Sequence, residues 1–360
     1  MRAKLEDVCE RGSSNLRQSD VEGKSGDYPI YGASGYIGNV DFYHQESSYV
    51  AVVKDGAGVG RTTLLPAKSS VIGTMQYLLP KKDVLPEYLY YVVRHMHLEK
   101  YFSGATIPHI YFRDYKNEKF NIESLERQSE IVSVLRKTEA VISARQKQLQ
   151  KLDDLVKARF VEMFGEPRSN PFEYPKTMLK NSCKVVTGNT PSRTVAEYYG
   201  DYVEWIKTDN IVPGVLNPTK AAEYLSEKGM VAGRTVDKGS VLMACIAGSV
   251  ASIGRVCITD RKVAFNQQIN AIIPEKYNTL FLYILLQMSK DYLIEDINMS
   301  LKGILSKSKL EGKEFIIPPV ELQNQFAAFV TQADKSKAVI QKALDKAQLL
   351  FDSLMQRYFS

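Results

Sequence analysis

The stretches SLERQ at 124–128 and PVELQ at 319–323 stand 195 residues apart and hold the same place in two versions of one pattern. Each follows an apolar, basic segment, EKFNI at 118–122 and KEFII at 313–317, and each opens a long helical periodicity. The register persists along the chain: Phe120 with Phe315, Gln128 with Gln323, Leu149 with Leu344 and Phe164 with Phe359. A solenoid unit spans only roughly 20 to 50 residues, so a repeat this long predicts a duplicated domain plus helix. One chain then carries two similar sites related by an approximate two-fold axis.

Outward from these stretches run two helical stripes. In the second, Phe326, Val330, Ala333, Lys337, Ile340, Leu344, Ala347, Phe351, Leu354 and Tyr358 alternate four and three apart, with Lys337 the one charged member. The matching row of the first is Ile131, Leu135, Thr138, Ile142, Arg145, Leu149, Leu152, Val156, Arg159 and Met163. Sustained 4-3 alternation predicts coiled-coil packing; the alternative is two amphipathic helices, each covering its own domain. Connectivity sets the direction. The first helix ends near Phe164 and the turn-rich GEPRSNPFEYP (165–175) leads straight into the second domain, from which the second helix departs. Packed helices must then run antiparallel, giving a dumbbell with a rod of about 33 residues, or roughly 50 Å.

Between the helices lie globules with an α+β pattern. YVAVVKDGAGVGRTTLL (49–65) reads as strand, tight glycine loop, strand, and YLYYVVRHMHLEKYF (88–102) as a helix. The second half repeats the order with GSVLMACIAGSVASIGRVCI (239–258) and LFLYILLQMSKDYLIEDI (280–297). A Gly-Arg pair closes each loop, Gly60-Arg61 and Gly254-Arg255. Each globule is expected to hold an antiparallel or strongly bent sheet with a few helices.

At 360 residues and 44% hydrophobic content the chain can bury two or three sizeable cores. A net charge of +6 is compatible with a polyanionic partner without requiring one. Cys9, Cys183, Cys245 and Cys257 lack CxxC spacing, and with four histidines in the chain they compose no zinc site. The start MRAKLEDVCE lacks the apolar core of a signal peptide and no run approaches a membrane span, so a cytoplasmic protein with no membrane partner is expected.

Catalytic signatures are missing. The sequence contains no GxxxxGK[ST], HExxH or GxSxG, and DGAGVGR (55–61) leads into a strand-like TTLL, favouring a hairpin turn over a phosphate cradle. His95 and His97, two apart on an expected helix, should face different sides and hold no metal together. Asp153 and Asp154 read as solvated flank charges of the coiled coil. A binding or scaffolding protein is favoured over an enzyme.

The whole chain resembles the specificity subunit of type I restriction-modification systems. The second half carries VVTGNTPSRTVAEYYG (185–200), YVEWIKTDNIVPG (202–214), KGSVLMACIAGSVASIGRVCI (238–258), FNQQINAIIP (265–274) and GILSKSKLEGKEFIIPPVELQNQ (303–325). The first half is similar in YPIYGASGYIG (28–38), YVAVVKDGAGVGRTTLL and SLERQSEI (124–131), but has no match to TGNTPS or WIKTDN. The resemblance implies an α+β chain with target recognition domains at 1–122 and 166–317, and helices at 123–165 and 318–360 forming an antiparallel coiled coil. It implies a non-catalytic subunit that reads a bipartite, asymmetric sequence in double-stranded DNA and docks two methyltransferase subunits, with restriction subunits joining them. S-adenosylmethionine, ATP and Mg would then bind in those partners and no cofactor in this chain. A rod of roughly 50 Å would span about 15 base pairs. The alternative is a coiled-coil protein scaffold without DNA read-out.

Base edges and phosphates are met by Arg, Lys, Asn, Gln and hydroxyl groups on turns. In the second domain these are Thr190, Ser192 and Arg193, then Lys207, Thr208 and Asn210, Arg255, then Asn266, Gln267 and Gln268, and finally Lys302, Ser306 and Lys307. In the first they are Lys54, Arg61, His109, Arg113 and Lys116. Each has a plainer reading as a turn former or surface group; Asp209-Asn210, for instance, can bond its own backbone.

Overall fold

The computed structural model describes residues 2–104, 108–295, 297 and 303–360, residue 250 by its backbone only. The chain divides into two compact units, Met1–Lys147 with Ile340–Ser360, and Gln148–Val339. Each therefore combines one globule with part of both long helices.

In the first unit an antiparallel sheet runs in the order Cys9–Ser13, Met75–Pro80, Tyr49–Val53, Thr62–Leu65. Strand alternation divides the all-buried YVAVV run between two layers. Val50 and Val52 pack with Leu89 and Val92 of the helix Pro86–His95. Tyr49, Ala51 and Val53 join Tyr77 and Val71 in a separate core on the other face. The second unit repeats this order in Cys183–Thr187, Ile269–Pro274, Val241–Ala244, Val256–Ile258. Val241 and Met243 point to the core of the helix Thr279–Met288, and Leu242 and Ala244 to the opposite core. The principal sheets are antiparallel, as expected. A second sheet in each unit is mixed, with one parallel pairing: Ile30 with Ser70 in the first and Trp205 with Ala264 in the second.

A two-stranded clasp precedes each long helix. Ala3 pairs with Phe120 in the first unit and Thr177 with Phe315 in the second. The helices themselves are Leu125–Phe164 and Val320–Phe359, of 40 residues each. They exceed the expected 33 residues and measure about 60 Å. Their pairing is antiparallel: Ile131 and Leu135 near one start share a core with Phe351, Met355 and Phe359 near the other end. In the second unit Phe326 and Val330 share a core with Val156, Phe160 and Phe164.

The stripes need one correction. In the last turns the buried positions are Phe160 and Phe164, and Met355 and Phe359, not the expected Arg159 and Met163, Leu354 and Tyr358. Both shifts obey the 195-residue register. The cause is what the turns face, since there the end of each helix packs on the globule of its unit, Phe164 on the second and Phe359 on the first. Phe164 meets Phe281 at 4.9 Å between ring centroids, and Phe359 meets Tyr88 at 5.3 Å. Residues four apart align along a straight helix, so a surface that is not supercoiled collects 156, 160, 164 and 351, 355, 359.

Asp153 also departs from expectation. Its side chain keeps 42% of its exposure but also bonds the Lys337 ammonium at 2.6 Å, with Asp334 3.4 Å from the same nitrogen. The charged member of the second stripe is thus neutralised inside the helix pair. The helix read over 88–102 ends at His95; His97 has φ 51°, and a 3-10 turn Leu98–Tyr101 follows. The break brings the His95 and His97 rings to 6.4 Å, overturning the expectation that they face apart. The helix read over 280–297 is likewise two, Thr279–Met288 and Lys290–Ile294, divided at Ser289.

Candidate nucleic-acid interface

The glycine loops close identically in the two units. The Gly60 amide donates to the Val53 carbonyl at 2.9 Å, and the Val53 amide to the Arg61 carbonyl at 2.9 Å. In the second unit the Gly254 amide donates to Ala244 at 2.8 Å, and the Ala244 amide to Arg255 at 2.9 Å. Gly60 and Gly254 have φ of 86° and 77°, a region that disfavours side chains, and a Cβ on Gly60 would lie 2.5 Å from the Glu99 nitrogen. Arg61 and Arg255 therefore occupy equivalent backbone positions. Their side chains differ: Arg61 donates to the Ala33 carbonyl, and Arg255 Nε to the Ala251 carbonyl at 3.3 Å.

A second segment lies beside each loop. Ile110 donates its amide to Lys54, and Leu305 to Cys245. Lys54, Arg61, His109 and Arg113 thus belong to one loop cluster in the first unit. Lys54 pairs with its neighbour Asp55. Arg113, three-quarters exposed, lies over the Tyr111 ring at 4.6 Å, and the His109 ring meets the same tyrosine at 4.9 Å. Lys116 bonds Glu6 at 2.7 Å, holding that carboxyl below its ordinary range, and so braces the globule's own N-terminal segment.

In the second unit the predicted residues separate into two kinds. Asn210 is consumed locally: its Oδ1 accepts from the Lys207 amide at 3.0 Å and its Nδ2 donates to Thr219 and Lys220. Buried Asn266 donates to the Gln268 side chain at 3.1 Å and accepts from the Gln268 amide. Ser306 caps the helix Lys307–Gly312, accepting from the Lys309 amide at 3.3 Å, and Lys307 pairs with Glu311 at 3.5 Å. Thr208 is half-buried in a 3-10 turn. Ser192 bonds Thr194 at 2.8 Å, and Thr190 donates to exposed Gln267. Lys302 lies outside the described residues.

Arg193 and Lys207 are brought together. The Arg193 guanidinium lies 4.4 Å from the Tyr199 ring centroid and 5.1 Å from that of Trp205, and the Lys207 ammonium 5.0 Å from Trp205. Arg193 Nη2 donates to Glu223 at 2.6 Å, and Lys207 bonds the other carboxylate oxygen. Those bonds, Lys207's foremost, hold the Glu223 carboxyl below its usual range. Tyr199, Trp205 and Glu223 were not among the expected site residues. The signal was present in part, because strand alternation sets Trp205 and Lys207 of WIKTDN on one side.

Among the described residues no group of three or more His, Cys, Asp or Glu can hold a metal, and no helix is long and apolar enough to cross a membrane. All four cysteines are buried, which pushes each thiol up to about 12 and keeps it protonated.

The family model for the type I restriction modification DNA specificity domain matches residues 1–153 and 173–348, and the chain belongs to that family. Over 308 residues it is 24% identical to the type I restriction enzyme MjaIX specificity subunit of Methanocaldococcus jannaschii, covering 78% of this chain and 69% of that one. A 115-residue stretch, 30% of this chain, is 33% identical to 23% of the type I restriction enzyme HindI specificity subunit of Haemophilus influenzae. The fold is that of the type I restriction-modification S subunit from M. genitalium, with a TM-score of 0.65 at 13% identity over 100% of this chain and 96% of that one. A chain from a type I R-M assembly aligns at TM-score 0.57 and 14% identity over 99% and 97%. The protein is a DNA sequence-specificity subunit of a restriction-modification complex, non-catalytic itself and assembling with the subunits that act.

Proposed function

We propose that each unit reads one half of a bipartite, asymmetric sequence in double-stranded DNA. The paired helices set the spacing between the halves and dock two methyltransferase subunits. The observation that carries this reading is a repeated frame with unlike surfaces. Strand order, clasp and Gly-Arg closure recur in both units, whereas the Arg193–Trp205–Glu223 cluster stands in the second unit and an Arg113–Tyr111–His109 cluster in the first. S-adenosylmethionine, ATP and Mg belong to the methyltransferase and restriction subunits, and a cytoplasmic location suits such an assembly.

Gel retention of a duplex by this chain with its methyltransferase partner tests the reading, and selective retention over competitor DNA is the expected result. Unselective retention would favour a scaffold. Adding one matched heptad to both helices should lengthen the spacer in a map of methylated adenines and leave the half-site bases unchanged; altered bases would overturn the spacing role.

A further inference from the structure

Arginines that meet DNA do two different jobs. A phosphate contact needs charge and tolerates a mobile side chain, while a base contact needs a donor fork held in one direction. Arg193 is built for the second. Its planar guanidinium lies against Tyr199 and Trp205, which fix the plane, and the Glu223 bond fixes rotation within that plane. The aromatic support is itself anchored: Trp205 is buried, its indole N–H donates to the Asn189 carbonyl at 3.3 Å, and the Tyr199 hydroxyl donates to the Pro191 carbonyl at 2.6 Å.

Charge and exposure point the same way. Glu223 is shared by Arg193 and Lys207, so the three side chains carry a net charge of +1 between them, a weak phosphate anchor for so much ordered structure. The Arg193 side chain nevertheless remains 56% exposed, against 34% for both Lys207 and Glu223. Of its donors, one Nη2 hydrogen is engaged by Glu223, leaving a fork that can meet two acceptors side by side. Among base edges in the major groove, guanine offers such a pair in O6 and N7.

Resting on the half-site reading above, we propose that Arg193 is the guanine-reading residue of the second unit, held in a fixed direction by the Tyr199–Trp205 shelf and the Glu223 carboxylate. Glu223, Tyr199 and Trp205 are positioning residues. Lys207 shares the carboxylate and the Trp205 face and completes the brace.

The test uses the chain assembled with its methyltransferase partner and a set of duplexes in which each base pair of the target is exchanged singly. The wild-type assembly should require G·C at one position of one half-site, by on the order of 10- to 100-fold. Arg193→Ala should flatten discrimination at that position alone. Arg193→Lys, which keeps the charge and discards the fork, should do the same while retaining most affinity, and so remains informative if the alanine variant folds poorly. Glu223→Gln should weaken discrimination at the same position without uniform loss of binding. Equal loss of affinity on every duplex, or an unchanged base preference, would overturn the assignment while leaving the half-site reading intact. Absence of any selective binding by the wild-type assembly would overturn both.

Discussion

The Gln128 carboxamide accepts a hydrogen bond from the Leu85 amide at 2.9 Å and donates to the carbonyls of Asp83 and Glu123, each at 2.9 Å. Gln323, 195 residues later, does likewise: its Oε1 accepts from the Asn278 amide at 2.8 Å, and its Nε2 donates to the Pro318 carbonyl at 2.8 Å. Both side chains are buried. Each ties the first turn of a long helix to the residue just before the globule's main helix, in one unit Pro86–His95 and in the other Thr279–Met288.

Replacing either glutamine by alanine leaves a partly buried amide and at least one carbonyl without this partner. The loss expected is about 1–3 kcal/mol for each. Chemical denaturation of Gln128→Ala and Gln323→Ala measures it, and a change within the scatter of surface variants would refute the anchoring role.

The aromatic register makes a sharper demand on stability. Phe164→Ala empties a site among Phe160, Phe281 and Phe326 and should cost about 3–5 kcal/mol. Arg159→Ala, at the position the 4-3 pattern nominates, should lie within about 0.5 kcal/mol of wild type. The order of the two in a thermal or urea series checks the corrected stripe.

Asp334 gives the helix pair a pH dependence. Burial raises its carboxyl pKa against the opposing pull of Lys337. A raised folded value means that the native state binds the proton more tightly than the unfolded chain, so its contribution is full below the ordinary carboxylate range and declines as pH rises through the raised value. Measured against Asp334→Asn in urea, wild type should therefore lose relative stability on going from about pH 4 toward neutrality. A flat difference would show that the carboxyl titrates alike in both states.

Arg255 offers a test of phosphate contact in the second unit. If its guanidinium exchanges the Ala251 carbonyl for a DNA phosphate, Arg255→Ala should lower the slope of log affinity against log salt by about 0.9 in the assembled complex. Base preferences should stay as they were. An unchanged slope counts against the contact.

Much of this architecture could be read from residue spacing. The 195-residue register matched the two long helices and set Phe164 with Phe359 at their ends, because periodic burial and chain breaks are local properties, although the 33 residues expected fall short of the 40 found. The Gly-Arg pairs marked true equivalents because a tight turn needs glycine at positive φ in either half. The candidate DNA residues were harder. Asn210, Asn266 and Ser306 have the composition of contact groups yet bond their own backbone neighbourhood, and one-dimensional spacing does not separate a polar group turned inward from one turned outward.

Period, composition and order are enough to reveal the duplication, the α+β globules, the helical separators and the lack of catalytic motifs in the sequence. Packing across the fold was needed to show that Phe160 and Phe164 displace Arg159 and Met163 from the core, that Asp153 pairs with Lys337, and that Glu223 braces Arg193 beside Trp205. Those outcomes depend on which surface a side chain meets across the fold, and contacts between residues far apart in sequence are fixed by packing rather than by local preference.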